Sequence, residues 1–159
     1  MIFMLLKDVI AQEAPNLRSL TKHDASATDG RPGTWSRKAE LGHLIDSAAN
    51  NHNRFVRAAL DGEFRGPGYA QNDWVRLHGY AETPWPWLVD FWERYNRLLV
   101  RVIENIPEDR LNAMCVIGDN PPATLGFVIE DYVLHMQHHL DHILGREKVT
   151  AYPGQTLKD

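Results

Sequence analysis

The chain has 159 residues, 43% hydrophobic and 24% charged, with a formal net charge of −4. This is the composition of a soluble protein with a real core, and we expect a single domain over residues 1–159. The acidic balance and the lack of a basic stripe argue against nucleic acid as partner, and the one cysteine, Cys115, excludes an internal disulfide and fits a reducing, cytoplasmic setting.

The opening Met1-Ile2-Phe3-Met4-Leu5-Leu6 is apolar but ends at Lys7-Asp8, too short for a membrane span, and reads as the start of a core helix. Helical spacing of Leu5, Leu6, Val9, Ile10, Ala14 and Leu17 carries that helix from Phe3 to about Leu20, with Pro15 as a point of conflict. Thr21 to Trp35 reads as a connection, with turn chemistry at Asp29-Gly30-Arg31-Pro32-Gly33. Ser36 caps a second long helix that stops at Asp61-Gly62. Gly66-Pro67-Gly68 opens a long excursion, with a short helix from Asn72-Asp73 through His78. Thr83-Pro84 starts a third long helix to about Ile106, with Leu88, Phe91, Trp92, Tyr95, Leu99, Val102 and Ile103 as its stripe. Val116 to Pro122 reads as an extended loop or hairpin. Thr124 caps a fourth helix that ends at Gly145. Four long amphipathic helices with long connections predict an all-α four-helix bundle.

The last helix contains the run His135-Met136-Gln137-His138-His139-Leu140-Asp141-His142. It forms two i, i+4 pairs, His135/His139 and His138/His142, and such a pair points two imidazoles at one ion. Ile129, Tyr132, Val133, Met136, Leu140 and Ile143 define the core stripe. At about 100° per residue, His139 and His135 lie roughly 60–100° from Met136, whereas His138 and His142 lie roughly 120–160° round. The first pair therefore faces a cleft between helices. His138 and His142 read as a solvated face or as supports for the inner pair.

A third ligand belongs on a neighbouring helix, and helix 2 offers two histidines. His52 falls in the stripe of Leu41, Ala48, Phe55 and Ala59. His43 heads another row with Asp46, Asn50 and Arg54. That row is either a solvated face or the wall of a polar pocket, with His43 on the ion and Asn50 and Arg54 meeting a small-molecule substrate. Periodicity does not choose between His43 and His52. Trp74 and His78, on the excursion, either line such a pocket or pack the loop down. A di-iron carboxylate site would need a second Glu-x-x-His beyond Glu40-Leu41-Gly42-His43, and helix 4 supplies none. No nucleophile-elbow pattern supports a serine hydrolase. Cys115 reads as a small buried apolar residue.

The run Trp35-Ser36-Arg37-Lys38-Ala39-Glu40-Leu41-Gly42-His43-Leu44-Ile45-Asp46-Ser47-Ala48, with Ala49-Asn50-Asn51-His52-Asn53-Arg54-Phe55, resembles the second-helix signature of the DinB/YfiT-like metalloenzyme superfamily. The run from His135 to Ile143 resembles its last-helix signature. The resemblance implies a four-helix bundle holding one divalent metal, zinc or nickel, through three histidines. Carried onto matching positions, these are His43, His135 and His139. Some members are S-transferases that use low-molecular-weight thiols, so the resemblance implies either such a transferase or a metal-dependent hydrolase. A non-catalytic metal-binding bundle is the alternative from another class. The tryptophan-rich Trp85-Pro86-Trp87 and the bundle architecture suggest a homodimer.

Overall fold

The computed structural model describes residues 2–28 and 33–146, without the side chains of residues 2–4, 22 and 23. The turn expected at Asp29-Gly30-Arg31-Pro32 lies outside the described residues. Four long helices make the body: α1 (Ile2–Arg18), α3 (Arg37–Asp61), α5 (Trp85–Glu104) and α6 (Leu125–Ile143). Two short helices, α2 (Lys22–Ser26) and α4 (Gln71–His78), sit in the connections. Three short strands, β1 (Glu63–Gly66), β2 (Met114–Ile117) and β3 (Ala123–Thr124), form a small sheet in the order β1-β2-β3. None of the described helices is long and apolar enough to cross a membrane.

The helix boundaries follow local chemistry. Ser36 accepts a hydrogen bond from the Ala39 N–H at the start of α3, and Thr124 accepts one from Phe127 at the start of α6. Gly62 ends α3 with φ 82°, a left-handed conformation that glycine adopts without steric penalty. Pro15 is exposed and α1 runs on through it to Arg18, so no break occurs there. Helix α2 falls in the segment expected to be a connection. Its signal is the capping box of Thr21 and Asp24.

Helix α3 packs between α5 and α6, and α1 packs against the same two. Helices that follow one another in the chain, α1 and α3, or α5 and α6, thus stand at opposite corners of the bundle. Diagonal connections must cross an end of the bundle, which explains their length. The core holds Leu6, Ile10 and Leu17 of α1, Leu41, Leu44 and Phe55 of α3, Leu88, Trp92 and Leu99 of α5, and Ile129, Val133 and Leu140 of α6, all at most 1% exposed. Trp92 and Phe55 are among the largest fully buried side chains, and burying each such ring stabilises the fold by about 1.5–3 kcal/mol. Leu5 and Phe91, expected on core stripes, are 43% and 40% exposed.

The hairpin expected after Val116 is present as β2 and β3, with Cys115 opposite Ala123. Strand β2 also pairs in parallel with β1, which local sequence did not indicate. This ties the end of α3 to the segment that leads into α6.

Candidate metal centre

Three histidines meet between α3 and α6. His43 is fully buried, His135 is 8% exposed, and His139 is half-buried. His135 Nε2 lies 3.2 Å from His43 Nε2 and 3.1 Å from His139 Nε2. One ring nitrogen from each lies within 4.8 Å of both others. Two nitrogens on a tetrahedral ion at about 2.0–2.1 Å stand roughly 3.3–3.4 Å apart, so the spacing suits one small divalent cation. The Trp35 ring covers His43 at 4.8 Å between centroids.

Burial pushes His43 down to about 3, with the neighbouring His139 adding to the effect. Burial, followed by the charges of His139, His43 and His138, drives His135 well below its ordinary value. Both rings are neutral at pH 7, the form that ligates metal. The second nitrogen of His43, Nδ1, is buried without a hydrogen-bond partner. No proton arrangement serves the trio well, because one N–H cannot satisfy both Nε2 contacts of His135. A cation at their centre would meet all three lone pairs, so the donor set fits a metal.

Glu40, one turn before His43, was not foreseen in this role. It is buried at 5% exposure, and its two oxygens accept hydrogen bonds from two imidazoles of α6. His139 Nδ1 lies 2.8 Å from Oε1 and His142 Nδ1 lies 2.6 Å from Oε2. The bond from His139 fixes its proton on Nδ1 and turns its Nε2 lone pair toward the other two histidines. His142 is thus a support rather than a ligand, and its ring remains half-exposed. His138 packs edge-on to His139 at 5.4 Å.

The row below His43 does not face water. Asp46 and Arg54 are buried and Asn50 is half-buried, which favours the wall of a polar interior over a solvated face. The structure does not bring Asn50 and Arg54 to the three histidines. Helical rise sets Asn50 about 10 Å and Arg54 about 16 Å along α3 from His43. The Asn50 side chain donates to the Asp46 carbonyl, one turn back. Arg54 Nη1 lies 3.4 Å from Asn51 Oδ1. His52 points elsewhere, with Nδ1 3.1 Å from the Tyr95 hydroxyl between α3 and α5. Trp74 and His78 line a cavity of about 410 Å³ between α3, α4 and α5. Cys115 is buried at 1% exposure and burial raises its thiol pKa, so it is no exposed nucleophile.

The bundle with its diagonal connections has counterparts among solved structures. YfiT from Bacillus subtilis, described as a probable metal-dependent hydrolase with an unusual four-helix bundle topology, superposes with a TM-score of 0.80, 19% identity, and coverage of 91% of this chain and 82% of that one. The mycothiol-dependent maleylpyruvate isomerase, in a histidine-to-alanine variant, superposes with a TM-score of 0.74 and 14% identity over 92% of this chain and 60% of that one. A protein of Oceanobacillus iheyensis named as a candidate metal-dependent hydrolase is 24% identical over 127 residues, 80% of this chain and 72% of the relative. No family model matches the chain. The DinB/YfiT-like resemblance read from the two histidine runs therefore holds for the fold.

Proposed function

We propose that the chain is a metal-dependent enzyme that holds one divalent ion through His43, His135 and His139 and uses it to activate a small thiol for transfer. The observation that supports this reading most is the convergence of three imidazole nitrogens with 3.1–3.2 Å contacts. A bound ion would supply a Lewis acid that favours the anionic form of a nucleophile in its open position. Glu40 orients His139 and has both oxygens on imidazoles, so it does not serve as a free general base. That favours a nucleophile that loses its proton readily. A thiol, with an ordinary pKa of about 8.5, needs a far smaller push than water at about 15.7. Arg54, permanently charged, would hold a carboxylate at the far end of an extended thiol, with Asn50 between. The mycothiol-dependent isomerase shares the fold, which supports a thiol.

Hydrolysis is the second reading. The names of the Oceanobacillus and Bacillus proteins favour it. Elemental analysis of untagged protein should give about one divalent ion per chain. His135→Ala and His139→Ala should lose it, while His138→Ala should retain it. Retained stoichiometry and affinity in the first two variants would remove the assignment. Metal-loaded protein is then assayed with a panel of bacterial thiols and a haloarene or bimane electrophile. Thiol consumption above the metal-free control supports transfer. Ester or amide cleavage without it supports hydrolysis.

A further inference from the structure

The cavity of about 410 Å³ that Trp74 and His78 line opens between α3, α4 and α5. Its volume is within the ordinary range of small-molecule sites. Its walls are aromatic. Trp87 and Phe91 stack at 5.2 Å with an 11° interplanar angle, and Tyr95 follows Phe91 at 5.8 Å. Trp74 and Tyr80 also line it. Trp87 is 53% exposed and Phe91 40%. Two large rings stacked at the mouth of a cavity, outside the core, are a feature that folding alone does not require.

Among the described residues, Asp46 is the only acidic side chain on the lining, and no lysine or arginine lines the cavity. Asp46 is 2% exposed. Its Oδ1 accepts from the Tyr80 hydroxyl at 2.5 Å and lies 2.9 Å from His78 Nδ1. Its other oxygen, Oδ2, is buried without a hydrogen-bond partner. A buried acceptor left unsatisfied costs about 1–3 kcal/mol, and more when charged. A ligand N–H that reached Oδ2 would remove that cost. His78, beside Asp46, is the half-exposed member of the cluster. Aromatic faces attract cations, and an ammonium between rings and a carboxylate gains from both.

We infer that this cavity is a binding site for an organic ammonium ion with an apolar or aromatic tail, in which Asp46 receives the ammonium and Trp87 and Phe91 cover the tail. None of the three histidines is on its lining: His43 meets His135 of α6, whereas Ile45, Asp46 and Ala49 of the same helix line this cavity. The inference does not depend on the reaction proposed above.

Phenethylammonium, 2-phenylethanol and phenylacetate, alike in shape and different in charge, are titrated into the full chain at pH ~7, with tryptophan fluorescence and ligand NMR as readouts. The cation should bind about tenfold more tightly than the alcohol, and the anion more weakly than either. Asp46→Asn should erase the preference for the cation. Trp87→Ala, at an exposed position that leaves the core intact, should weaken the cation about fivefold or more with metal content and helicity unchanged. It keeps the test decisive if Asp46→Asn does not fold. Equal binding of amine and alcohol, or full amine affinity in Trp87→Ala, would overturn the site. So would a dimer that Trp87→Ala dissociates and that binds no amine, since the stacked rings would then belong to an interface between copies.

Discussion

Glu40→Gln is the most incisive perturbation of the candidate metal centre. Glutamine keeps the volume and the helix, but replaces one acceptor oxygen with an NH₂. The native carboxylate meets two Nδ1 groups, at 2.8 Å from His139 and 2.6 Å from His142. In the variant the amide oxygen accepts from one, and the NH₂ meets the other donor head on. Carboxylates behind metal-ligating histidines are worth about ten- to hundredfold in metal affinity, or about 1.4–2.8 kcal/mol. The loss should lie at the upper end if the NH₂ faces His139. His142→Ala separates the two contacts. It removes a ring that is 51% exposed at its side chain and leaves the bond to His139, so affinity should change less than about threefold. The assay is competition with a chromophoric chelator at fixed pH, with stoichiometry measured independently. If Glu40→Gln bound metal within about twofold of the native chain, Glu40 would not orient the ligand set, and the reasoning would fail.

Three further outcomes are expected. Chelation should leave helical circular dichroism largely intact while lowering the melting temperature, because the core of α1, α3, α5 and α6 is packed without the ion; collapse of the helical signal would point to a structural site instead. The chelated chain should lose stability in acid. His43 and His135 have folded pKa values below the ordinary 6.5, so the unfolded chain binds more protons below that pH; stability is full above about 6.5 and falls by about 1.4 kcal/mol per pH unit for each histidine kept neutral, and a urea midpoint that rose from pH ~7 to ~5 would contradict this. Gly42→Ala should destabilise by about 1–3 kcal/mol, because the new Cβ would overlap Tyr80 Cδ2, whose ring is held against α3 by the hydrogen bond from its hydroxyl to the Asp46 carboxylate; unchanged thermal unfolding would show that the ring moves aside freely.

Much of this architecture was legible in the sequence because its signals are local. Ser36, Thr124 and Gly62 mark helix ends through bonds to residues three or four positions away. The phase of α6 separated His135 and His139 from their neighbours, since burial depends on angle around one helix. The row below His43 was visible as a row, but its burial was not, because that depends on what packs across from it. In the sequence, Glu40 stands out only through its Glu-x-x-His spacing to His43. Its partners lie 99 and 102 residues away, and only the rotation of α3 against α6 turns it to their outer nitrogens. Its place one turn before His43 was the available clue. Strand β1 was missed for the same reason. Its parallel partner starts at Met114, and nothing within Glu63–Gly66 names that pairing.

The diagonal order of the helices has a consequence for assembly. The two helices that share the histidines are spatial neighbours, yet His43 and His135 are 92 residues apart. An ion between them would act as a removable cross-link across a long loop. By the chain-entropy argument, a covalent clasp of that span is worth about 4–5 kcal/mol. During synthesis the earlier helices can collapse without any claim on metal, because two of the three nitrogens arrive only with the helix that is made last of the four. Coordination would therefore follow bundle closure, and metal uptake would serve as a spectroscopic clock for the docking of α6.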